Sequence, residues 1–346
     1  MNRRFQFAVV ASSAGVAGLL LFGAVHGRGA AADNTPYNQI QVYSEVLSRI
    51  KADYVEEPDM KAVTAGAING MLETLDPFSS YLSADQYKQY QKSIGSAKGS
   101  LGLVMSKRAG LISIVDAVPG SPAAKANLGT GDFIESINGV STRDMPLAFA
   151  DMLLQGDVGT SVEMSVLRFR KPEPQKIALI RQAVPVPPVT GKLVNEGDAK
   201  NVGVITAMGL PSGRSKDIAA RIAELEKQGA KSLILDLRHS STGAPEEGIA
   251  VANLFVEKGL LGYSVGQKSA RQDYQAAGKP VTKLPLVVLT NRSTVGAAEI
   301  AAAALLSRDR AKVVGERTYG DAAVRKPVTL DDGSAVILAT AKFYTP

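Results

Sequence analysis

The sequence predicts a multidomain α+β chain: a helical N-terminal region, a compact β-rich module in the middle and an α/β core at the C-terminal end. Three observations predict it. Up to about residue 97, apolar residues recur at helical spacing; from about Lys98 to Gln182 the texture changes to short apolar runs broken by glycine turns; beyond a proline-rich tract, AVPVPPVT at 183–190, helical segments alternate with Val/Leu/Ile runs. With 346 residues, 45% hydrophobic and 21% charged, the chain can fill two or three domains. The expected divisions are 1–32 for an export segment, 33–97 for the helical region, 98–183 for the β-rich module and 184–346 for the core.

Arg3 and Arg4 precede an uncharged, mostly apolar run from Phe7 to Val25, and Ala30 and Ala32 form a small-residue cleavage pattern. This reads as an export signal cut before Asp33. The run, at about 1.5 Å per residue, is also long enough to stay as a membrane anchor, and both outcomes stay open. The formal charge of +6 includes Arg3, Arg4 and Arg28, so the mature chain is only mildly basic. No cluster of basic and aromatic residues supports nucleic-acid binding.

In YNQIQVYSEVLSRIKADYV, Ile40, Tyr43, Leu47, Ile50 and Tyr54 alternate at spacings of three and four, with Val46 beside them, which predicts a first helix. MKAVTAGAINGMLETL predicts a second, stopped at Asp76-Pro77, and Ser83 with Gln86 forms a capping box for a third. GSLGLVM, GLISIVDAV, GDFIESINGV and SVEMSVLRF read as strands, with helices at SPAAKANL, where Ser121 caps and Pro122 opens the first turn, and at PLAFADMLLQ. In the core, strands are expected at NVGVITAM, SLILDLRH, LPLVVLTN, AKVVGE and SAVILATAKFY. Helices are expected at SKDIAARIAELEKQGA, PEEGIAVANLFV and AAEIAAAALLSR.

Composition removes several chemistries. Cysteine is absent, which excludes disulfides, thiolate nucleophiles and cysteine zinc sites. His26 and His239 are the only histidines, so a histidine-rich metal centre is excluded, and neither a metal nor a cofactor is expected.

Gly99-Ser-Leu-Gly102-Leu103, followed by Gly120-Ser-Pro-Ala-Ala and Ala126-Asn-Leu-Gly-Thr-Gly131-Asp132, closely resembles a PDZ domain. With YVEEPD, GAINGMLETLDPFSSYL, LILDLRHSSTG, PLVVLTNRSTVGAAEI, GERTYGD and DGSAVILATAKFYTP, nearly the whole chain after the export segment resembles the carboxy-terminal processing peptidases, or tail-specific proteases. The resemblance implies a ClpP/crotonase-like α/β core. It implies hydrolysis near protein C-termini by a serine nucleophile and a lysine base. A serine hydroxyl attacks only when a base takes its proton, and lysine can do so only where desolvation lowers its pKa.

The positions matching that dyad do not carry it. Gly296 stands where the resemblance places the serine, and Asp321 where it places the lysine. Arg325 replaces a supporting glutamine and Ser307 an acidic residue. The loop expected to give an oxyanion N–H reads Ser240-Ser241-Thr242-Gly243, with Thr242 in place of a glycine. Asp236, Leu237, Arg238 and Gly243 still match.

Nearby residues offer weak substitutes. Ser293 reads as a helix-capping or turn serine and is the fallback nucleophile. Lys326, beside Arg325 in a strand, faces the other way and reads as solvated. His239 with Ser240, Ser241 and Asp236 lies too close in sequence for a catalytic triad. Ser48 and Lys51 match a Ser-x-x-Lys pattern by chance on an exposed helix. Asp321 reads either as a turn residue or as a partner of Arg325.

The expected function is therefore a non-catalytic member that binds protein C-terminal tails or regulates an active protease relative. An active peptidase using Ser293 is the rival. The PDZ resemblance places the tail's carboxylate at Ser100, Leu101, Gly102 and Leu103. Expected partners are protein tails, an active relative, or an oligomer of the chain. No nucleic acid is expected, and the membrane only through an uncleaved anchor. The expected location is the periplasm, soluble or anchored to the inner membrane.

Overall fold

The computed structural model describes residues 36–346 except 96, 97, 109, 169, 170, 172 and 198. The expected export segment lies outside the described residues. Among the described residues, no helix is long and apolar enough to cross a membrane.

Two compact units divide at Thr64. In the first, α1 (Pro36–Asp53) forms as its periodicity predicts, yet its apolar residues are not a core: Ile40, Val46 and Tyr54 are all more than half exposed. Helix α2 (Met60–Glu73), whose residues from Ala65 on belong to the second unit, begins beyond Asp59, whose carboxylate accepts from the N–H groups of Lys61 and Ala62, and ends before Asp76-Pro77. In the second unit, α3 (Ala84–Ser93) starts at the expected capping box: Gln86 N–H donates to Ser83 Oγ, and Gln86 Oε1 accepts from Ser83 N–H.

The β-rich module is an antiparallel sheet in the order β2 (Leu103–Arg108), β3 (Leu111–Ala117), β4 (Phe133–Ile137), β6 (Ser161–Leu167), β7 (Gln175–Ile180), with β5 (Val140–Ser141) paired to β4. Strand β7 was not expected, because KIALI at 176–180 alternates only briefly between apolar and polar residues. Two helices complete the module, α4 (Pro122–Lys125) and α5 (Leu147–Leu154). Ser121 Oγ accepts from Ala124 N–H, which is the predicted cap. Leu101, Ile112, Ile114, Ile134, Ile137, Met164 and Leu154 share the module's core.

The core contains a mostly parallel sheet in the order β14 (Lys312–Gly315), β13 (Leu286–Thr290), β10 (Ser232–Asp236), β9 (Ala199–Thr206), β8 (Thr190–Glu196), only β8 being antiparallel to its neighbour. Helices α6 (Arg214–Lys227), α7 (Pro245–Asn253) and α8 (Ala297–Ser307) connect these strands, burying Ile218, Ile222, Val251, Phe255, Ala301 and Leu305 with the sheet. Strand β8, TGKLVNE, was not expected because it is mostly polar and five of its seven residues are exposed.

The last strand, β16 (Ala335–Tyr344), does not extend this sheet. It joins a separate antiparallel sheet with β1 (Ser80–Leu82), β11 (Leu260–Val265), β12 (Gln272–Gln275) and β15 (Ala323–Thr329). Ser80 pairs with Ile337, so a segment expected to be helical at the N-terminal side is sewn to the C-terminal end. Fully buried Leu82 and Ala335 anchor that seam.

Candidate functional site

Parallel strands deliver their loops at one end of a sheet, and that end commonly holds the chemistry of an α/β domain. Here β10, β13 and β14 deliver residues 237–244, 291–296 and 316–322. Hydrogen bonds join the three loops. Val295 N–H donates to the Ser240 carbonyl (2.9 Å), Thr294 Oγ1 to the Leu237 carbonyl (3.0 Å) and Tyr319 N–H to the Thr294 carbonyl (3.1 Å).

Gly296 sits at the turn into α8 with φ +56° and ψ −107°. This is a left-handed, strained conformation, the kind of sharp strand-to-helix turn that projects a nucleophile in hydrolases. A Cβ there would meet only the Asp321 carbonyl oxygen, at 3.8 Å, so space exists for a side chain that the sequence does not provide.

Glu299, three residues into the helix and 7% exposed, holds the arrangement together. Its carboxylate accepts from Gly296 N–H (2.8 Å), Gly320 N–H (2.7 Å) and Asp321 N–H (2.9 Å). One carboxylate thus fixes the turns that carry both dyad positions.

Asp321 forms an ion pair with Arg325, each side chain about one-fifth exposed. The Arg325 guanidinium lies 4.6 Å from the centre of the Phe78 ring, which is 4.9 Å from the Tyr319 ring. Burial pushes the Asp321 carboxyl above its usual range; Arg325 opposes the shift and Glu299 adds to it. The resemblance places the base here, and the position holds an acid already paired with a cation.

Ser293 does not cap a helix. It is 2% exposed, and its Oγ donates to Asp116 Oδ2 at 2.5 Å. The same carboxylate oxygen takes the bond from His239 Nδ1. Asn291 Oδ1 accepts the backbone N–H groups of both His239 and Ser293 (3.1 Å each). Burial pushes the Asp116 carboxyl up, but the bonds from His239 and Ser293 outweigh it and leave it below its usual range. The bond to Asp116 holds His239 above its ordinary value. A serine triad needs the imidazole between hydroxyl and carboxylate, whereas here the carboxylate lies between the other two.

The remaining candidates fall apart spatially. Asp236 is engaged by Arg238 Nε (2.9 Å) and Nη2 (2.7 Å) rather than by His239. The Ser240 hydroxyl is buried and has no hydrogen-bond partner among the described residues. Ser48 donates to the Ser44 carbonyl on an exposed helix, and Ser307 donates to the Ala304 carbonyl at the far end of α8. Lys326 is exposed while Arg325 turns inward, as strand alternation requires. Near Gly296, among the described residues, no serine hydroxyl is hydrogen-bonded to a lysine amine.

Ser100, Leu101, Gly102 and Leu103 line a cavity of about 540 Å³ together with α5 and the start of β2. Gly102 is required: its φ is +72°, and a Cβ would come within 2.3 Å of Ser121 Cβ. The cavity continues to Thr242, Val295, Asp321 and Arg325. A smaller space of about 220 Å³ lies among Gly243, Gly296, Ala297 and Asp321. The Thr242 carbonyl accepts from Leu210 N–H at 2.7 Å, which fixes that loop against the core. The Ser100–Leu103 loop and the Asp321–Arg325 pair therefore share one cavity. Among the described residues, no group of three or more His, Cys, Asp or Glu side chains is placed to hold a metal.

Asp116, Asp151 and Glu299 were not singled out in the sequence. Each is a lone carboxylate inside an apolar run, LISIVDAV, LAFADMLL and AAEIAAAALL, and that interruption was the available signal.

Residues 201–346 match peptidase family S41, residues 113–168 a PDZ domain and residues 24–86 the N-terminal domain of the activating protease CtpB. The chain is 34% identical over 305 residues to the carboxy-terminal processing protease CtpA of Bacillus subtilis, covering 87% of this chain and 64% of that protein. It is 33% identical over 301 residues to the carboxyl-terminal-processing protease of Synechocystis, covering 86% and 70%. The solved photosystem II D1 C-terminal processing protease superposes with a TM-score of 0.69 over 88% of both chains, at 28% identity. This chain belongs to the carboxy-terminal processing protease family, with an S41 peptidase core and a PDZ domain. It spans just under two thirds of the Bacillus relative's length.

Proposed function

We propose that this chain is a non-catalytic member of its family that captures protein C-terminal tails in the PDZ groove, either as its whole role or to regulate an active relative. The carrying observation is the occupant of the dyad positions: a glycine without a nucleophile, and an aspartate ion-paired with Arg325. An acid bound to a cation cannot supply the neutral amine that activates a serine. The groove supports the positive half of the reading. Its glycine loop and cavity suit an extended chain added beside β2, with the terminal carboxylate at the loop. The apolar segment ahead of Asp33 fits export to the periplasm.

The test is fluorescence anisotropy with a labelled peptide bearing a free C-terminal carboxylate, against the same peptide amidated. Carboxylate-dependent binding that leaves the peptide intact is the expected result. Equal binding of the two forms, or none of either, would overturn tail capture.

A further inference from the structure

The groove walls are mostly apolar: Leu101, Leu103, Met105, Leu147 and Leu154 line the cavity beside the loop. Asp151, on α5, brings a carboxylate into this wall, where Tyr90 and Gln155 also stand. Its carboxyl reaches the cavity and accepts from Gln155 Nε2 at 2.7 Å. Among the described residues no cation forms an ion pair with it.

The neighbouring elements supply no such partner. Helix α3 faces it with Tyr90, and the loop after β14 brings Tyr319; both phenols feel its charge. Lys107 on β2 is engaged by Glu73, and Arg325 across the cavity by Asp321. Asp151 is exposed on the cavity wall, so water reaches it in the free protein. Desolvation pushes its pKa up to about 6, against the opposing bond from Gln155. A carboxylate on the groove wall with no cation beside it favours an incoming positive charge, and a tail seated in the cavity displaces the water that screens it in the free protein.

Building on the tail-capture reading, we propose that Asp151 makes the groove select protein C-terminal tails that carry a lysine or arginine side chain upstream of the terminal carboxylate. The glycine loop recognises the tail's end through its carboxylate, and Asp151 recognises its charge. Tails of apolar residues alone would leave the carboxylate enclosed and unpaired.

The test measures binding of labelled peptides to the purified full chain. Lysine is placed singly at each of the four positions before an alanine terminus, with an all-alanine reference and amidated controls. At pH 7.5 one position should tighten binding at least tenfold over the reference. The gain should fall to about twofold at pH 5, where Asp151 is largely protonated, and should disappear in Asp151→Asn. That variant should still bind the all-alanine peptide in a carboxylate-dependent manner, which shows that it remains folded. No gain at any position, or a gain that survives Asp151→Asn, overturns the selectivity while leaving tail capture standing. Loss of carboxylate dependence in the wild type overturns tail capture and the selectivity with it.

Discussion

The two ends of the shared cavity differ in how their charges are satisfied. At the turns of Gly296 and Asp321 both carboxylates have partners: Glu299 takes three backbone N–H groups and Asp321 takes Arg325. At the tail groove Asp151 has only an amide. Charges satisfied internally leave nothing for a ligand to pair with, whereas a carboxylate without a cation on a groove wall can still take one from a bound tail. Backbone hydrogen bonds to Glu299 hold the turns at Gly296 and Asp321 with no Ser–Lys pair between them.

The largest effect should follow from breaking that frame. Glu299→Ala leaves three N–H groups without their acceptor and should cost about 4 kcal/mol in denaturant unfolding. A loss under 1 kcal/mol would show that the carboxylate does not pin the turns. Arg325→Ala should cost about 2–3 kcal/mol, since it strands Asp321 in a buried setting. Asp321→Ala combined with Arg325→Ala should cost less than the sum of the single changes in a double-mutant cycle; additivity would mean that the pair is not coupled.

At the groove, Gly102→Ala forces a Cβ onto Ser121 and should cost about 1–3 kcal/mol. It should also weaken carboxylate-dependent tail binding at least tenfold, whereas Arg325→Ala should change tail affinity less than threefold. If the two variants affect binding equally, the functional separation of the two ends fails.

The smallest effect concerns the contact of Asp116 with His239 and Ser293. His239 is raised above its ordinary 6.5, so its contribution is full below that value and is lost as pH rises through its folded pKa. Asp116 is lowered below its ordinary 3.8, so its contribution is present above that value and is lost as pH falls through its folded pKa. The contact is therefore strongest between about pH 4 and 6.5. In thermal melts, His239→Gln should lie furthest below the wild type in that window and approach it toward pH 8.5. A constant offset across the range would remove the ionic component.

Regular elements were legible where apolar periodicity was long. Helix α6 and strands β10 and β13 follow from Ile218, Ile222, Leu233, Leu235 and Val288, residues buried on one face or within the parallel sheet. Strands β1, β11, β12 and β15 were not, because their own sequences are short or polar and sheet pairing stabilises them, β1, β11 and β15 on β16 and β12 on β11. The eroded dyad positions could be read from Gly296 and Asp321 alone. What replaces the dyad could not, since Glu299 joins residues 296 and 320–321 only after folding. Asp116, more than a hundred residues before His239 and Ser293, meets them only in three dimensions. Ser293 looked like a cap because loop serines before helices usually are; its hydroxyl instead found an acceptor on another module.

The central claim concerns turnover. The purified chain, incubated with an unfolded protein substrate and followed by mass spectrometry for new termini, should produce no cleavage above a buffer control from hours to days. Products that accumulate in proportion to the chain's concentration, and vanish in Ser293→Ala, would contradict it.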